Sequence, residues 1–525
     1  MTRTSSLLMT ASAALLLATS MADAAKFRWA FQSDISSLDP MSTGNVPTRN
    51  AMQNVLEAMV EIDSNMKVAP ALATSWENIS ETQWKFTLRP NVKFHNGESF
   101  SADDVVFSFK RATAASSDVR PRVRVIKSIT KIDDHTVMVE TNGPSPTLLS
   151  DLTYLKIYSK AWAEANDSVE PMAAATGKEN FASRNANGTG AFKIASYQPG
   201  VRLVMVRNDA WWGKPKGNVT EATFTPIRAE STRIAALLGG QVDFINPVPQ
   251  QDVPRLQADA RLKVMNGPEA RVIYLGMDQE RDELLFSNIK GRNPFKDVRV
   301  REAVYTAIDT ETIREKIMRG AALPAGTLLT ETAFGHNPSF SQRSPFDIAR
   351  ARKLLEEAGY PDGFEVTLDC PAGRYVNDDK ICAALAPMLA RIKIKLNVLA
   401  QAPNLYFQKI GSRNTSFYLH GWGSDPDAQP LMVILMHSPI KAGAGLWNVG
   451  GYKNERVDTL IDSIGREMDS KKRLGMIREA VELHKKDFAV IPIHQQMLTW
   501  GMTRKVQVIQ RPDDFLELSS VIVTE

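Results

Sequence analysis

Two short stretches hold residue types that could grip a charged solute. In CPAGRYVNDD, residues 370–379, a guanidinium, a phenol and an amide stand close together in Arg374, Tyr375 and Asn377. In GWGSDPD, residues 421–427, the indole of Trp422 precedes the carboxylate of Asp425. A guanidinium can hold a carboxylate or a phosphate through two parallel hydrogen bonds, and a carboxylate shielded from water makes a charge-assisted hydrogen bond to a cation. Each stretch also has a purely structural reading, with Asn377 as the N-cap of a following helix and SDPD as a turn. Either can hold while a neighbouring residue binds. Lys380 is a second cation nearby, but Asp378 and Asp379 flank it.

The elements around these stretches make a common cleft plausible in physical terms. Phe364, Val366 and Leu368 alternate as a strand leading into the first stretch, and Phe417 to Trp422 reads as a strand leading into the second. In an open α/β sheet, ligands bind beyond the carboxyl ends of the strands. If the two strands run parallel in one sheet, Arg374, Tyr375, Asn377, Trp422 and Asp425 face one cleft. From about residue 290 onward the chain alternates helix and strand, as an α/β lobe does.

The first half is richer in strands and hairpins. In SWENISETQWKFTLRPNVKFHNGESFSADDVVFSFKRA, Trp84, Phe86 and Leu88 share one strand face, and Asn96-Gly97 is expected to supply both positive-φ positions of a tight turn. Ser101 and Asp104 have the spacing of a capping box. Residues 50–62 read as a helix. Arg120, Arg122 and Arg124 alternate with Val123 and Val125, which reads as the solvated face of a strand.

Bulk properties exclude several classes. The chain has 525 residues, enough for two to four domains, with 43% hydrophobic and 23% charged residues. A net charge of +4 is too small to argue for nucleic acid or an anionic membrane, and no aromatic platform interleaves with the one basic run. No G-x-S-x-G elbow, H-E-x-x-H, Walker loop or G-x-G-x-x-G occurs. The seven histidines are scattered and none is spaced with Cys370 and Cys382 as zinc ligands would be, so neither metal nor cofactor is expected. Those two cysteines form either a disulfide or a pair of buried thiols. Arg3, the apolar run Leu7 to Leu17 and Ala22-Asp23-Ala24 have the form of a cleaved export signal, with the mature chain starting at Ala25.

Eight stretches, in order along the chain, carry a resemblance. They are LDP at 38–40, PALATSWE at 70–77, WKFTLRPNVKFHNGESFSADDVVFSFKR at 84–111, GTGAF at 188–192, WWGKP at 211–215, DVRVREAVYTAID at 297–309, DIARARKLLEEAGY at 347–360 and GWGSDPD at 421–427. Together they resemble the family 5 extracellular solute-binding proteins, the dipeptide- and oligopeptide-binding receptors of ABC importers.

The resemblance implies an α/β, two-lobe periplasmic-binding-protein fold with an extra subdomain in lobe one and a hinge between the lobes. The expected division is a signal peptide at 1–24, lobe one at 25–285 with its subdomain at about 61–188, lobe two at 286–494, and C-terminal strands at 495–525 returning to lobe one. It implies a periplasmic monomer, not an enzyme, that captures a di- or oligopeptide and passes it to a membrane permease. At the position of Asp425, peptide-binding relatives pair an acid with the peptide's α-ammonium. The RYVND loop departs from the dipeptide receptors and leaves an opine-like, sugar-phosphate or metal-chelate ligand open, with Arg374 the better anion holder. A secreted hydrolase is the alternative of another class.

Overall fold

The computed structural model describes residues 24–441 and 443–525. Of the expected export signal, only Ala24 falls within them.

The strand Gln83–Leu88 buries Trp84, Phe86 and Leu88 and exposes the residues between them. It lies in a four-stranded antiparallel sheet in the order Ala73–Ser80, Gln83–Leu88, Thr136–Thr141, Ile126–Asp133. The helix Ala102–Ala112 starts with the expected capping box: the Ser101 hydroxyl accepts from the backbone, and the Asp104 carboxylate accepts from Ser101 N–H at 2.9 Å. The Asn96-Gly97 turn needs only one left-handed residue, Gly97 at φ 94°.

Two other local expectations are corrected. The helix expected over 50–62 is instead Val46–Met52, because Asn45 caps it and Pro47 suits its first turn; Val60–Ile62 is a strand. The basic run is the short helix Arg120–Val123, and its pattern of alternation is coincidental. Pro121 fixes φ and cannot donate to a strand ladder, but is tolerated in a first helical turn.

The turn at LDP is more than a turn. Asp39 is fully buried and bonds both Nη atoms of Arg111, at 3.1 and 2.6 Å, and the Tyr158 hydroxyl at 2.6 Å. This buried cluster ties the N-terminal segment to the capped helix.

Among the described residues the central sheet has eleven strands, ten on one path and Ala322–Leu323 beside it, paired with Val490–Thr503. Its path runs Ile394–Gln401, Phe364–Pro371, Phe417–Gly423, Leu262–Met277, Val490–Thr503, Phe244–Asn246, Ala25–Phe31, Val219–Pro226, Arg202–Arg207, Phe192–Gln198. Phe364–Pro371 and Phe417–Gly423 are parallel, with Asp369 opposite Tyr418. Both loops that follow them therefore emerge at the same edge.

Two long antiparallel strands, Leu262–Met277 and Val490–Thr503, form the spine between the two halves. On one side lies a core that runs from Phe27 to Phe244 and takes in Trp500, Met502 and Leu516. On the other, Ile273, Leu275, Ile491 and Ile493 join the core of the α/β half. The pairing of the two strands breaks between Pro268 and Val272, opposite Met497 and Gln495. The first strand advances four residues while its partner advances two, so Glu269, Ala270 and Arg271 are pushed out as a bulge.

Candidate functional site

A cavity of about 540 Å³ lies where the two halves face each other across this bulge. It is within the range of about 300–1,000 Å³ usual for small-ligand sites. The first half contributes Arg49, Arg122 and Tyr154, the bulge contributes Glu269 and Arg271, and the α/β half contributes the two loops singled out in the sequence.

The first loop is built on Asp378. This buried carboxylate accepts the backbone N–H groups of Gly373, Arg374 and Tyr375 at 3.0, 2.8 and 2.9 Å, folding the loop back over the start of the helix Asp378–Ala390. Cys370 and Cys382 are joined by a disulfide that pins the strand end to that helix. The Tyr375 hydroxyl donates to Gly421 O at 3.0 Å and locks the first loop to the second. Gln496 of the spine accepts from Val376 N–H and donates to Glu269, tying the loop to the bulge.

Arg374 and Tyr375 thus reach the cavity, as do Trp422 and Asp425. Asn377 does not. It sits in the left-handed region at φ 55° without capping the helix, and its amide donates to Ile317 O at 3.0 Å. Asp378, one residue on, has taken over the work of ordering the helix start.

Asp425 is held from the opposite half. Its Oδ2 accepts from Arg122 Nη1 at 3.1 Å, and its Oδ1 accepts from Arg122 Nη2 at 3.3 Å and from the Tyr154 hydroxyl at 2.7 Å. Burial pushes the Arg122 pKa down, but the facing Asp425 carboxylate outweighs it and holds the guanidinium above its ordinary value. Arg122 and Arg49 stack on Tyr154, their guanidinium carbons 4.4 and 4.3 Å from the ring centre.

One end of the cavity is aromatic. His420 is 2% exposed and stacks on Trp447 at 5.5 Å and 12°, with Tyr375, Phe407 and Trp422 around it. Neither ring nitrogen has a hydrogen-bond partner among the described residues. Burial, then the Arg374 and Arg271 charges, push His420 down to about 3, so the ring is neutral.

Residues 67–442 match the bacterial extracellular solute-binding proteins, family 5 (middle region). The chain belongs to this family.

Relatives of the family 5 chain span nearly its whole length. Heme-binding protein A of Haemophilus influenzae is 27% identical over 456 residues, 82% of this chain and 79% of that protein. The periplasmic murein peptide-binding protein MppA of Escherichia coli is 24% identical over 487 residues, 88% and 86% of the two. Among solved structures, the periplasmic binding protein DppA of Helicobacter pylori, in complex with the peptide STSA, superposes with a TM-score of 0.78 at 24% identity, covering 96% of this chain and 99% of that one. This likeness shows that the family 5 chain has the two-lobe fold, so the spine is its hinge and the cavity is its interlobe cleft.

Several cleft residues of this family 5 protein were not singled out in its sequence. Arg122 carried a signal, Pro121, that argued against a strand. Arg49, Tyr154, Phe407 and Trp447 carried none, since each reaches the cleft through long-range packing. Among the described residues no three acidic, histidine or cysteine side chains group as a metal site, and no helix is long and apolar enough to cross a membrane.

Proposed function

We propose that this protein is the periplasmic receptor of an ABC importer, closing its two lobes on a short peptide and delivering it to a membrane permease. The observation that carries this reading is the interlobe cleft: about 540 Å³, walled by both lobes and by the hinge itself. Arg374, Tyr375, Trp422 and Asp425 belong to the ligand site in this reading. The names of two relatives support a peptide, since one is a murein peptide-binding protein and the other was solved with a bound peptide. The protein acts as an exported monomer whose leader is removed before Ala25. In this reading it binds without turnover: His420 is neutral and has no hydrogen-bond partner among the described residues, and Asp425 is paired with Arg122.

The test is to denature the purified protein and identify the released solute by mass spectrometry, then to return it to the refolded chain. Saturable one-to-one binding of a peptide, unchanged on recovery, is expected. A non-peptide solute, or a chemically altered product, would overturn the reading.

A further inference from the structure

The charges around the cleft do not balance, and the imbalance describes the solute. Three carboxylates line the cavity, and the protein neutralises each one. Asp425 pairs with Arg122 at 3.1 Å, Glu269 with Arg271 at 2.8 Å and Asp513 with Arg511 at 2.6 Å. Two further guanidiniums line the same cavity, those of Arg49 and Arg374. Neither has a carboxylate or hydrogen-bond partner among the described residues. Arg49 lies against the rings of Tyr154 and Phe515, at 4.3 and 5.3 Å, and Arg374 against Tyr375, at 5.1 Å, with the charges of Arg271, Glu269 and Asp378 acting on Arg374 without an ion pair.

A guanidinium stacked on a ring keeps its N–H edge free for an anion. Half-burying two such groups without paired counter-ions is costly, and a solute that supplies the counter-ions recovers that cost only on binding. Burial, and then the nearby Arg271 charge, already hold Arg374 below the ordinary arginine value. A solute bearing an ammonium would add a positive charge to this surplus and would have to share Asp425 with Arg122.

The two free cations also belong to different lobes. Arg49 rides on the helix Val46–Met52, which packs in the first core, and Arg374 sits on the loop after Phe364–Pro371 in the second. A solute with two anionic groups therefore spans the cleft and favours closure, because only the closed form offers both partners.

We propose that the solute is an acidic short peptide, one carboxylate held by Arg374 and a second by Arg49, and that Asp425 does not read its amino terminus. This rests on the peptide reading above and names its class. Titration calorimetry on the unfolded-and-refolded, solute-free protein tests it with three probes: alanyl-glutamate, alanyl-lysine and N-acetyl-alanyl-glutamate. Alanyl-glutamate should bind at least about 30-fold more tightly than alanyl-lysine, acetylation should change its affinity by less than about threefold, and Arg49→Gln and Arg374→Gln should each weaken it at least about tenfold. Equal or tighter binding of alanyl-lysine, or a loss of more than about tenfold on acetylation, overturns the acidic-peptide inference and leaves the peptide reading standing. Binding of none of the three overturns the peptide reading itself, and this inference falls with it.

Discussion

Arg122 and Asp425 are 303 residues apart in sequence and meet at 3.1 Å across the cleft, one from each lobe. Their side chains are 28% and 12% exposed, so the pair is partly shielded from water. An ion pair between lobes exists only when they are together, so it biases the empty protein toward closure.

Arg122→Gln should remove that bias. The radius of gyration of the solute-free variant, measured by small-angle scattering, should exceed that of the wild type. The freed Asp425 should also accept an ammonium, so alanyl-lysine should gain at least about tenfold in affinity relative to wild type. An unchanged radius together with unchanged selectivity would show that the pair holds nothing.

Arg374→Gln should separate stability from binding. A desolvated guanidinium without a counter-ion destabilises the empty protein, so its loss should raise the melting temperature by an amount equivalent to about 1 kcal/mol. Affinity for the native solute should fall at the same time. A variant that melts lower than wild type in the absence of solute would contradict this account.

The disulfide between Cys370 and Cys382 closes a loop of sequence separation 12 that contains Arg374 and Tyr375. In the chain-entropy model such a closure contributes about 3 kcal/mol. A Cys370→Ala/Cys382→Ala protein should melt earlier and bind its solute more weakly, because the loop that presents Arg374 loses one anchor. Asp378 keeps the other, so binding should be reduced without being abolished. Calorimetry in both scanning and titration modes checks both halves.

Stability should peak near pH 6.5. Burial, then the nearby Glu269 charge, push Asp514 up to about 8, and burial pushes Asp151 up to about 7. An acid whose folded pKa exceeds its unfolded value of about 4 stabilises fully below that value and loses its contribution as pH rises through the folded pKa. The buried histidines act in the opposite sense: burial lowers His95, His484 and His494 to about 4 and His420 to about 3, so their penalty disappears as pH rises to about 6.5. From there to about pH 8 the acids dominate and the melting temperature should fall, until Lys156, which burial lowers to about 8, begins to act in the opposite sense. Asp514→Asn retains an oxygen acceptor for Trp500 and Asn246, which donate to Asp514 Oδ1 at 2.9 and 2.6 Å, and should flatten the fall. A wild-type profile still rising at pH 8 would refute the assignment.

The strands that deliver the site were legible because their alternation and apolar content are local properties. Phe364, Val366 and Leu368 marked one, and the run into Trp422 marked the other. The capping box at Ser101 was legible for the same reason, since all its partners lie within four residues. What the sequence could not disclose was how each polar group is used. Asn377 was the expected cap, yet Asp378 accepts four backbone hydrogen bonds, three of them because the loop folds back over it. Asp425 lines the cavity, but its pairing with Arg122 depends on a contact between lobes that no local pattern encodes. The same holds for Arg49 and Trp447.

The bulge in the hinge strand has a mechanical consequence. Ala270 donates its N–H to Pro512 O on the first-lobe side and accepts from Ser424 N–H on the loop that carries Asp425. One residue thus touches both moving bodies at the place where the strands change register. A pivot there leaves nearby atoms almost stationary, while points farther out travel in proportion to their distance. Ser424 is tied to this point, so the turn that carries Asp425 is anchored at the pivot itself. A lobe movement about that point would leave the hinge-side wall of the cavity, with Glu269, Arg271 and Ser424, nearly in place.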